Sequence, residues 1–389
     1  MTTCMIGWSH TPFGKLVDDD VESLIVRATC DALADANLQA SDVDEIFVGQ
    51  FNGGFASQDF PASLVLQADD GFRFKPATRV EDACATGSAA IYQGLNSIAA
   101  GRARIVLAVG VEKMYATPGE RVGEILMSCS YLKDEEGPRQ SGFPGIFARI
   151  AEAYFAQHGD QSDALARIAA KNHKNGAANP LAQLRKDLGY NFCRQVSENN
   201  PVVAPPLRRT DCSPISDGAA AVILADSDTA AAMEKAVAFR AARHVNDFLP
   251  LARRDMTRFE GQKRAWEEAF LEAGVTLDDL GVVELHDCFT IAELMAYEAM
   301  GLTDYGHGAR AIDEGWTEKD GRLPVNPSGG LKSKGHPIGA TGVSMHVQAA
   351  MQVSGQAGAI QVPGVTLAGV CNMGGTGVAN FVSILEAVH

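Results

Sequence analysis

The second half of this chain repeats the first, and that limits it to folds built from two like halves. "DALADANLQASDVDEIFVG" from Asp31 returns as "EAFLEAGVTLDDLGVVELH" from Glu268, an offset of 237. "ATGSAA" from Ala85 returns as "ATGVSM" from Ala340, an offset of 255, and "VEKM" from Val111 returns as "VCNM" from Val370, an offset of 259. "DGAAAVILAD" from Asp217 returns as "TGVANFVSIL" from Thr376, where the offset has fallen to 159. Ala- and Gly-rich strings match by chance one at a time, but four matches in the same order do not. The fall from 259 to 159 puts roughly 100 additional residues into the first half, between Met114 and Asp217. The expected division is a first half in two pieces, 1–115 and 210–245, an inserted loop domain over 116–209, and a second half over 246–389.

Within each half, helix and strand patterns alternate. Val21, Leu24, Ile25, Ala28, Ala32 and Ala36 fall at helical spacing behind the acidic cap Asp18–Asp20. Ile46-Phe47-Val48 reads as a short strand, Ala85 to Gly101 as an Ala-rich helix, and Ile105–Val109 as a buried strand. Val282–Leu285 and Val365–Val370 read as strands of the second half, with a helix from about Phe289 after the first. The alternation predicts an α/β fold with parallel-rich sheets covered by helices.

Charge narrows the partners. Thirty-three Lys+Arg against 48 Asp+Glu leave a net charge of −15, which argues against nucleic acid and against an acidic membrane surface. No apolar run reaches the roughly 18–20 residues that cross a bilayer. The N-terminal sequence has no secretory pattern, the C-terminal EAVH is no peroxisomal address, and the eight cysteines are dispersed singly. Reduced thiols and a cytoplasmic location are expected.

The inserted segment has a character of its own. It begins turn-rich, "TPGERVGEILMSCSYLKDEEGPRQSGFPG", and then turns helical around Ala148–Gln157 and Ser162–Asn175. From Ala164 to Arg209 there are eight basic residues, among them Lys171, Lys174, Arg208 and Arg209, against two acidic ones. Such a surplus in an acidic chain suits a small polyanion, although a solvated helix face has the same composition.

Five residues can carry chemistry. Cys84, in "EDACATGSAA", precedes a helix, where unpaired N–H groups favour thiolate; a buried structural role is the commoner fate of a lone cysteine. His336, in "SGGLKSKGHPIGATG", lies just before Gly339, the residue that the 255 offset pairs with Cys84. The two helix starts are therefore expected to face each other across a pseudo-twofold axis, and a Cys and a His meeting there make an activated nucleophile. His286 and Cys288 lie at the C-terminal end of a strand, a usual place for function in α/β sheets. Cys371 is expected just after a strand, with Met373 and Gly374 in a turn whose N–H groups can hold an oxyanion. No metal is expected, since no short ligand pair exists and His286 and Cys288 sit too close together to splay round a tetrahedral ion.

Together "DACATG", "HDCF" at His286–Phe289, "NPSGGLKSKGHPIGATG" at Asn326–Gly342 and "CNMGGTG" at Cys371–Gly377 resemble the thiolase family over the whole chain. The "HDCF" form resembles the branch typified by sterol-carrier-protein-linked thiolases. The resemblance implies a duplicated five-layer αβαβα sandwich with an inserted loop domain. It also implies acyl transfer that forms or thiolytically cleaves a 3-oxoacyl-CoA through an acyl-cysteine, with coenzyme A thioesters as substrates and no tightly bound cofactor. Cys84 would hold the acyl group. His336 would activate it and, with His286, bind the second thioester's oxygen, while the N–H groups of Cys84 and of the Met373–Gly374 region would form the other oxyanion hole. The acid/base stays open between Cys288 and Cys371, since ordinary thiolases use a cysteine in a CxG turn and the HDCF branch uses its own. Lys171, Lys174, Arg208 and Arg209 would meet the coenzyme A phosphates. A homodimer or tetramer, and a small OB-fold partner protein, are further implications. A β-ketoacyl synthase, a thiolase-like C-acyltransferase and an aldolase are alternative reactions on the same fold.

Overall fold

The computed structural model describes residues 2–133 and 141–388. Nine strands form one hydrogen-bonded run: β1 (Cys4–His10), β2 (Glu45–Gly49), β3 (Ala77–Val80), β4 (Ile105–Glu112), β7 (Gly218–Ala225), β8 (Val237–Asn246), β9 (Val282–Leu285), β10 (Leu367–Gly374) and β11 (Ala379–Ala387). A separate hairpin pairs β5 (Val202–Ala204) with β6 (Leu207–Arg208). Helices of nine residues or more are α1 (Val21–Asp35), α2 (Thr86–Ala99), α3 (Gly119–Met127), α4 (Gly142–His158), α5 (Ser162–Ala178), α6 (Glu260–Ala273), α7 (Thr290–Ala299) and α8 (Ile338–Val353).

The strand order, β3-β2-β4-β7-β1-β8-β11-β10-β9, is the duplication in three dimensions. β2–β4 and β9–β10 are parallel, while β4–β7 and β10–β11, and β7–β1 and β11–β8, are antiparallel. Each pairing in one half thus has a like-handed counterpart in the other. Even edge strand β3 has a vestige, an isolated parallel bridge between Val283 and Val325. Between β4 and β7, which are neighbours in the sheet, the chain leaves to build α3, α4, α5 and the β5–β6 hairpin.

In a flat sheet β4 and β10 would stand roughly 24 Å apart, five strand spacings. Helix α8 nevertheless packs on both, so the two halves face each other with α2 and α8 between them. Helix α1 covers the outer face of β1, β4 and β7, and α6 covers that of β8 and β11, which completes the five expected layers. Strand alternation makes this possible. On β4, Ile105, Leu107, Val109 and Val111 pack with Leu24 and Ile25 of α1, while Val106 and Ala108 belong to the core on the other face. The acidic cap of α1 is Asp20, whose carboxylate accepts from the Ser23 N–H at 2.8 Å while Ser23 Oγ accepts from the Asp20 N–H at 3.0 Å.

The inserted segment differs from its sequence reading at its start. "GERVGEILM" is helical, because Val122, Ile125 and Met127 make a buried apolar side. Helix α4 begins at Gly142, ahead of the expected Ala148; Pro144 is no obstacle in a first turn that needs no N–H donor there. Residues 134–140 of the turn-rich stretch lie outside the described residues.

Candidate active site

Helices α2 and α8 cross where neither can carry a side chain. A Cβ on Gly87 would lie 2.7 Å from Val343 N, and one on Gly342 would lie 2.2 Å from Ser88 N. These two glycines are related by the 255-residue offset, so the pseudo-twofold axis passes between them and brings the two helix starts together.

One start carries Cys84. Its turn is tied by Thr86, whose hydroxyl donates to Ala83 O at 2.6 Å and accepts from the Asp82 N–H at 2.8 Å. Ala83 sits at φ +47°, the left-handed region that costs a non-glycine residue energy and collects at working sites. The other start carries His336, whose N–H donates to Ser216 Oγ at 2.9 Å. Its Nδ1 faces Thr341 Oγ1 at 2.7 Å, and that hydroxyl gives its proton to Pro337 O at 2.9 Å. Thr341 can therefore only accept from the ring, which places the proton on Nδ1 and leaves Nε2 as the base.

His286 is set in the opposite tautomer. Asn372 Nδ2 lies 3.2 Å from Cys84 O, a carbonyl that only accepts, and 2.9 Å from His286 Nδ1, while Asn372 Oδ1 accepts from Ser88 Oγ at 2.8 Å. The amide therefore donates to His286 Nδ1, so the ring carries its proton on Nε2. That N–H is buried, faces the Cys84 sulfur and makes no other hydrogen bond among the described residues. Burial pulls the His286 pKa down to about 4, which keeps the ring neutral and a donor. One atom each of Cys84, His286 and His336 lie within 4.8 Å of one another. A thiophilic metal and an activated thiol draw on the same residue types.

These groups open on a cavity of about 840 Å³ lined by Cys84, Cys129, Cys212, Cys288 and His336, with Val122, Met127, Phe143 and Phe289 supplying apolar wall. The neighbouring Cys129 thiol, with His286 and His336, outweighs burial and holds the Cys84 thiol well below its ordinary range. Cys288 is pushed well above it, by burial first and then by Cys84 and Asp287. Asp287 itself braces the site. Its carboxylate accepts from the N–H groups of Leu331 at 2.6 Å and Lys332 at 3.2 Å and from Asn172 of α5 at 2.7 Å.

Three sequence expectations are corrected. Cys371 does not follow a strand but lies inside β10, and its sulfur accepts from Gln262 Nε2 of α6 at 2.9 Å. Alternation turns Cys371 toward the outer helix and Asn372 toward the nucleophile. Met373 and Gly374 are likewise strand residues; a Cβ on Gly374 would lie 2.7 Å from Asp82 O, so its backbone abuts the Cys84 turn. Two of the four phosphate candidates are spent internally. Lys171 is buried 2.8 Å from Glu293 and donates to Val325 O at 2.7 Å, and Arg208 is buried and donates to Cys193 O at 3.1 Å. Lys174 and Arg209 are exposed, Lys174 standing 3.5 Å from Glu318.

The fold and the Cys-His-His cluster define a thiol-dependent acyl-transfer enzyme, and the comparisons agree. The Thiolase, N-terminal domain, model matches residues 3–228, and Thiolase C-terminal domain-like matches residues 243–387. The chain belongs to the thiolase family and is a thiolase-type acyltransferase. It is 39% identical over 378 residues to an acetyl-CoA acetyltransferase of Methanothermobacter thermautotrophicus, covering 96% of each chain. It is 32% identical to sterol carrier protein 2 of Oryctolagus cuniculus, over 96% of this chain and 70% of that protein. Among solved structures, the Ltp2-ChsH2(DUF35) aldolase superposes with a TM-score of 0.82 at 22% identity, covering 99% of this chain and 98% of that one, a likeness of fold. No helix among the described residues is long and apolar enough to cross a membrane.

Proposed function

We propose that the enzyme takes acyl-CoA thioesters, acetyl-CoA among them, and joins or cleaves them at Cys84. The observation that carries this is the convergence of Cys84, His286 and His336, with Cys84 and His336 in the wall of the 840 Å³ cavity. The Cys84 sulfur attacks the thioester carbon and the carbon–sulfur bond to coenzyme A breaks; coenzyme A leaves as thiolate, or as thiol with the proton that His336 took from Cys84. His336 Nε2 takes the thiol's proton whenever Cys84 carries one. The N–H groups of Cys84 and Gly374 hold the oxyanion at the acyl-cysteine, and His286 Nε2–H, with His336, holds that of the second thioester. Cys288 moves the α-proton of that second substrate, and its carbanion displaces Cys84 to give the 3-oxoacyl-CoA. Assays with acetyl-CoA and longer acyl-CoAs, in condensation and in thiolysis, test the reading. Turnover of 3-oxoacyl-CoA by coenzyme A is the expected result, and none in either direction would refute it.

Coenzyme A phosphates are assigned to Lys174 and Arg209, which remain exposed where Lys171 and Arg208 do not. Lys174→Glu and Arg209→Glu together should raise KM for coenzyme A substrates several-fold and leave kcat nearly unchanged. Phosphate contacts are equal in ground and transition states. An unchanged KM makes these residues a solvated face. The division 1–115, 116–209, 210–245 and 246–389 fits this scheme, with the inserted loop domain covering the cavity. A homodimer or tetramer in the cytoplasm is proposed from the family, and light scattering reads the oligomer directly. A small partner protein is suggested by the second component in the name of the solved aldolase; co-purification with proteins encoded nearby would reveal it.

A further inference from the structure

Cys84, His286 and His336 bring one sulfur or nitrogen atom each within 4.8 Å of one another, close enough for one thiophilic cation to span. A metal takes a thiolate sulfur or the bare nitrogen of a neutral imidazole, not a ring N–H. Thr341 holds the His336 proton on Nδ1, so Nε2 of that ring is bare. His286 is held the other way round: Nδ1 is bare and accepts, and the nitrogen left free of protein partners, Nε2, carries the proton.

Asn372 makes that difference, and its amide has no slack. The residue is fully buried. Its two amide hydrogens go to Cys84 O at 3.2 Å and His286 Nδ1 at 2.9 Å, while its Oδ1 accepts from Ser88 Oγ at 2.8 Å. The crossing of α2 and α8 closes round it, for a Cβ on Gly342 would lie 2.4 Å from Asn372 Oδ1 and 2.6 Å from Ser88 Oγ. Turning the amide over, so that it accepted from His286, would set Oδ1 against the Cys84 carbonyl oxygen, acceptor to acceptor, and forfeit that buried hydrogen bond.

We propose that Asn372 is a positioning residue that locks His286 as a hydrogen-bond donor at the nucleophile, and that the same lock denies a thiophilic cation its third ligand there. The lock stands on these hydrogen bonds; its use in turnover rests on the oxyanion role proposed for His286. A ring N–H in that place meets the negative oxygen of a bound thioester and cannot take the Cys84 proton. Base and donor therefore stay divided between two neighbouring histidines, and three residues that must remain free to react do not close on a metal.

Two measurements test the lock. Imidazole ¹⁵N spectra of histidine-labelled wild type at neutral pH, with His286 assigned by the signals lost in His286→Ala, should show a protonated Nε2 and a bare Nδ1 on His286, and the reverse on His336. A proton on His286 Nδ1 overturns the proposal. The second measurement is titration with Co²⁺, read by thiolate-to-cobalt charge-transfer absorption, in wild type, Asn372→Asp, and Asn372→Asp combined with His286→Ala. The introduced carboxylate accepts from an Nδ1–H and leaves a bare Nε2 beside the sulfur, the arrangement that supports histidine ligands in metal sites. Asn372→Asp should bind cobalt about 10- to 100-fold more tightly than wild type, the usual weight of such a supporting group. The gain should vanish when His286 is also replaced. Equal affinity in the folded single variant, or a gain that survives without His286, overturns the proposal. Thermal unfolding identifies a variant that has not folded, in which case the wild-type spectra decide alone. The reaction fails separately: His286 protonated on Nε2 in an enzyme that exchanges no acetyl-CoA α-protons overturns the oxyanion role, not the lock.

Discussion

Cys84→Ala should lower thiolysis and condensation by on the order of 10⁴-fold or more, and should leave no acyl group on the protein after incubation with acetyl-CoA. The expected size follows from what the side chain does. Without the sulfur there is no acyl-enzyme, and two thioesters would have to react directly in a cavity whose other thiols, Cys129, Cys212 and Cys288, are each pushed up by burial. The fold should survive. An alanine removes one buried sulfur from a turn whose shape comes from Thr86 and from the tight approach of Gly374 to Asp82 O. Intact mass and peptide mapping make the check: wild type should carry the acyl group on the Cys84 peptide, and the variant should carry none. Acylation that persists in Cys84→Ala at another cysteine would move the nucleophile there. Activity without any acyl-enzyme would point to an aldolase or another reaction that does not use the cysteine.

The nucleophile and its base were legible because the repeat constrains them. An offset of 255 pairs Cys84 with Gly339 and Gly87 with Gly342, and a helix pair crossing at two glycines carries its N-terminal residues to one point. The part that sequence misplaced is the strand β10. In a strand a shift of one residue exchanges the two faces, and "VCNMGG" offers both a cysteine and an asparagine. Chemistry favours reading the cysteine inward, but Gly369 packs against Trp266 and so puts the odd-numbered residues of β10 on the α6 side. That contact between residues 103 positions apart is tertiary, so the inward face of Asn372 was not legible in the sequence. The basic surplus failed for a different reason. A local charge count cannot show that Lys171 meets Glu293, which lies 122 residues on, or that Arg208 is buried against Cys193.

Cys288→Ser should keep acylating Cys84 yet lose exchange of the acetyl-CoA α-protons with deuterium by about 10²- to 10⁴-fold, the usual weight of one positioned acid/base. Cys371→Ser should keep most of that exchange. The contrast comes from position and charge. Cys288 is in the cavity wall with Cys84 and His336, whereas Cys371 is buried beneath it, pushed up to about 12 by burial and bonded to Gln262 on the outer helix. The raised pKa of Cys288 is part of the mechanism. In the free enzyme the negative Cys84 sulfur helps keep Cys288 protonated. Acylation removes that charge, so Cys288 ionises more readily once an acyl group is in place and a base is needed. Run toward thiolysis, the same thiol starts protonated and gives its proton to the departing acetyl-CoA carbon. Two measurements follow the idea: deuterium exchange into acetyl-CoA by NMR or mass, and the pH dependence of Cys288 alkylation before and after Cys84 is blocked. Blocking Cys84 should lower the Cys288 midpoint. Full exchange in Cys288→Ser together with its loss in Cys371→Ser would return the acid/base to β10, against the outward direction of the Cys371 side chain.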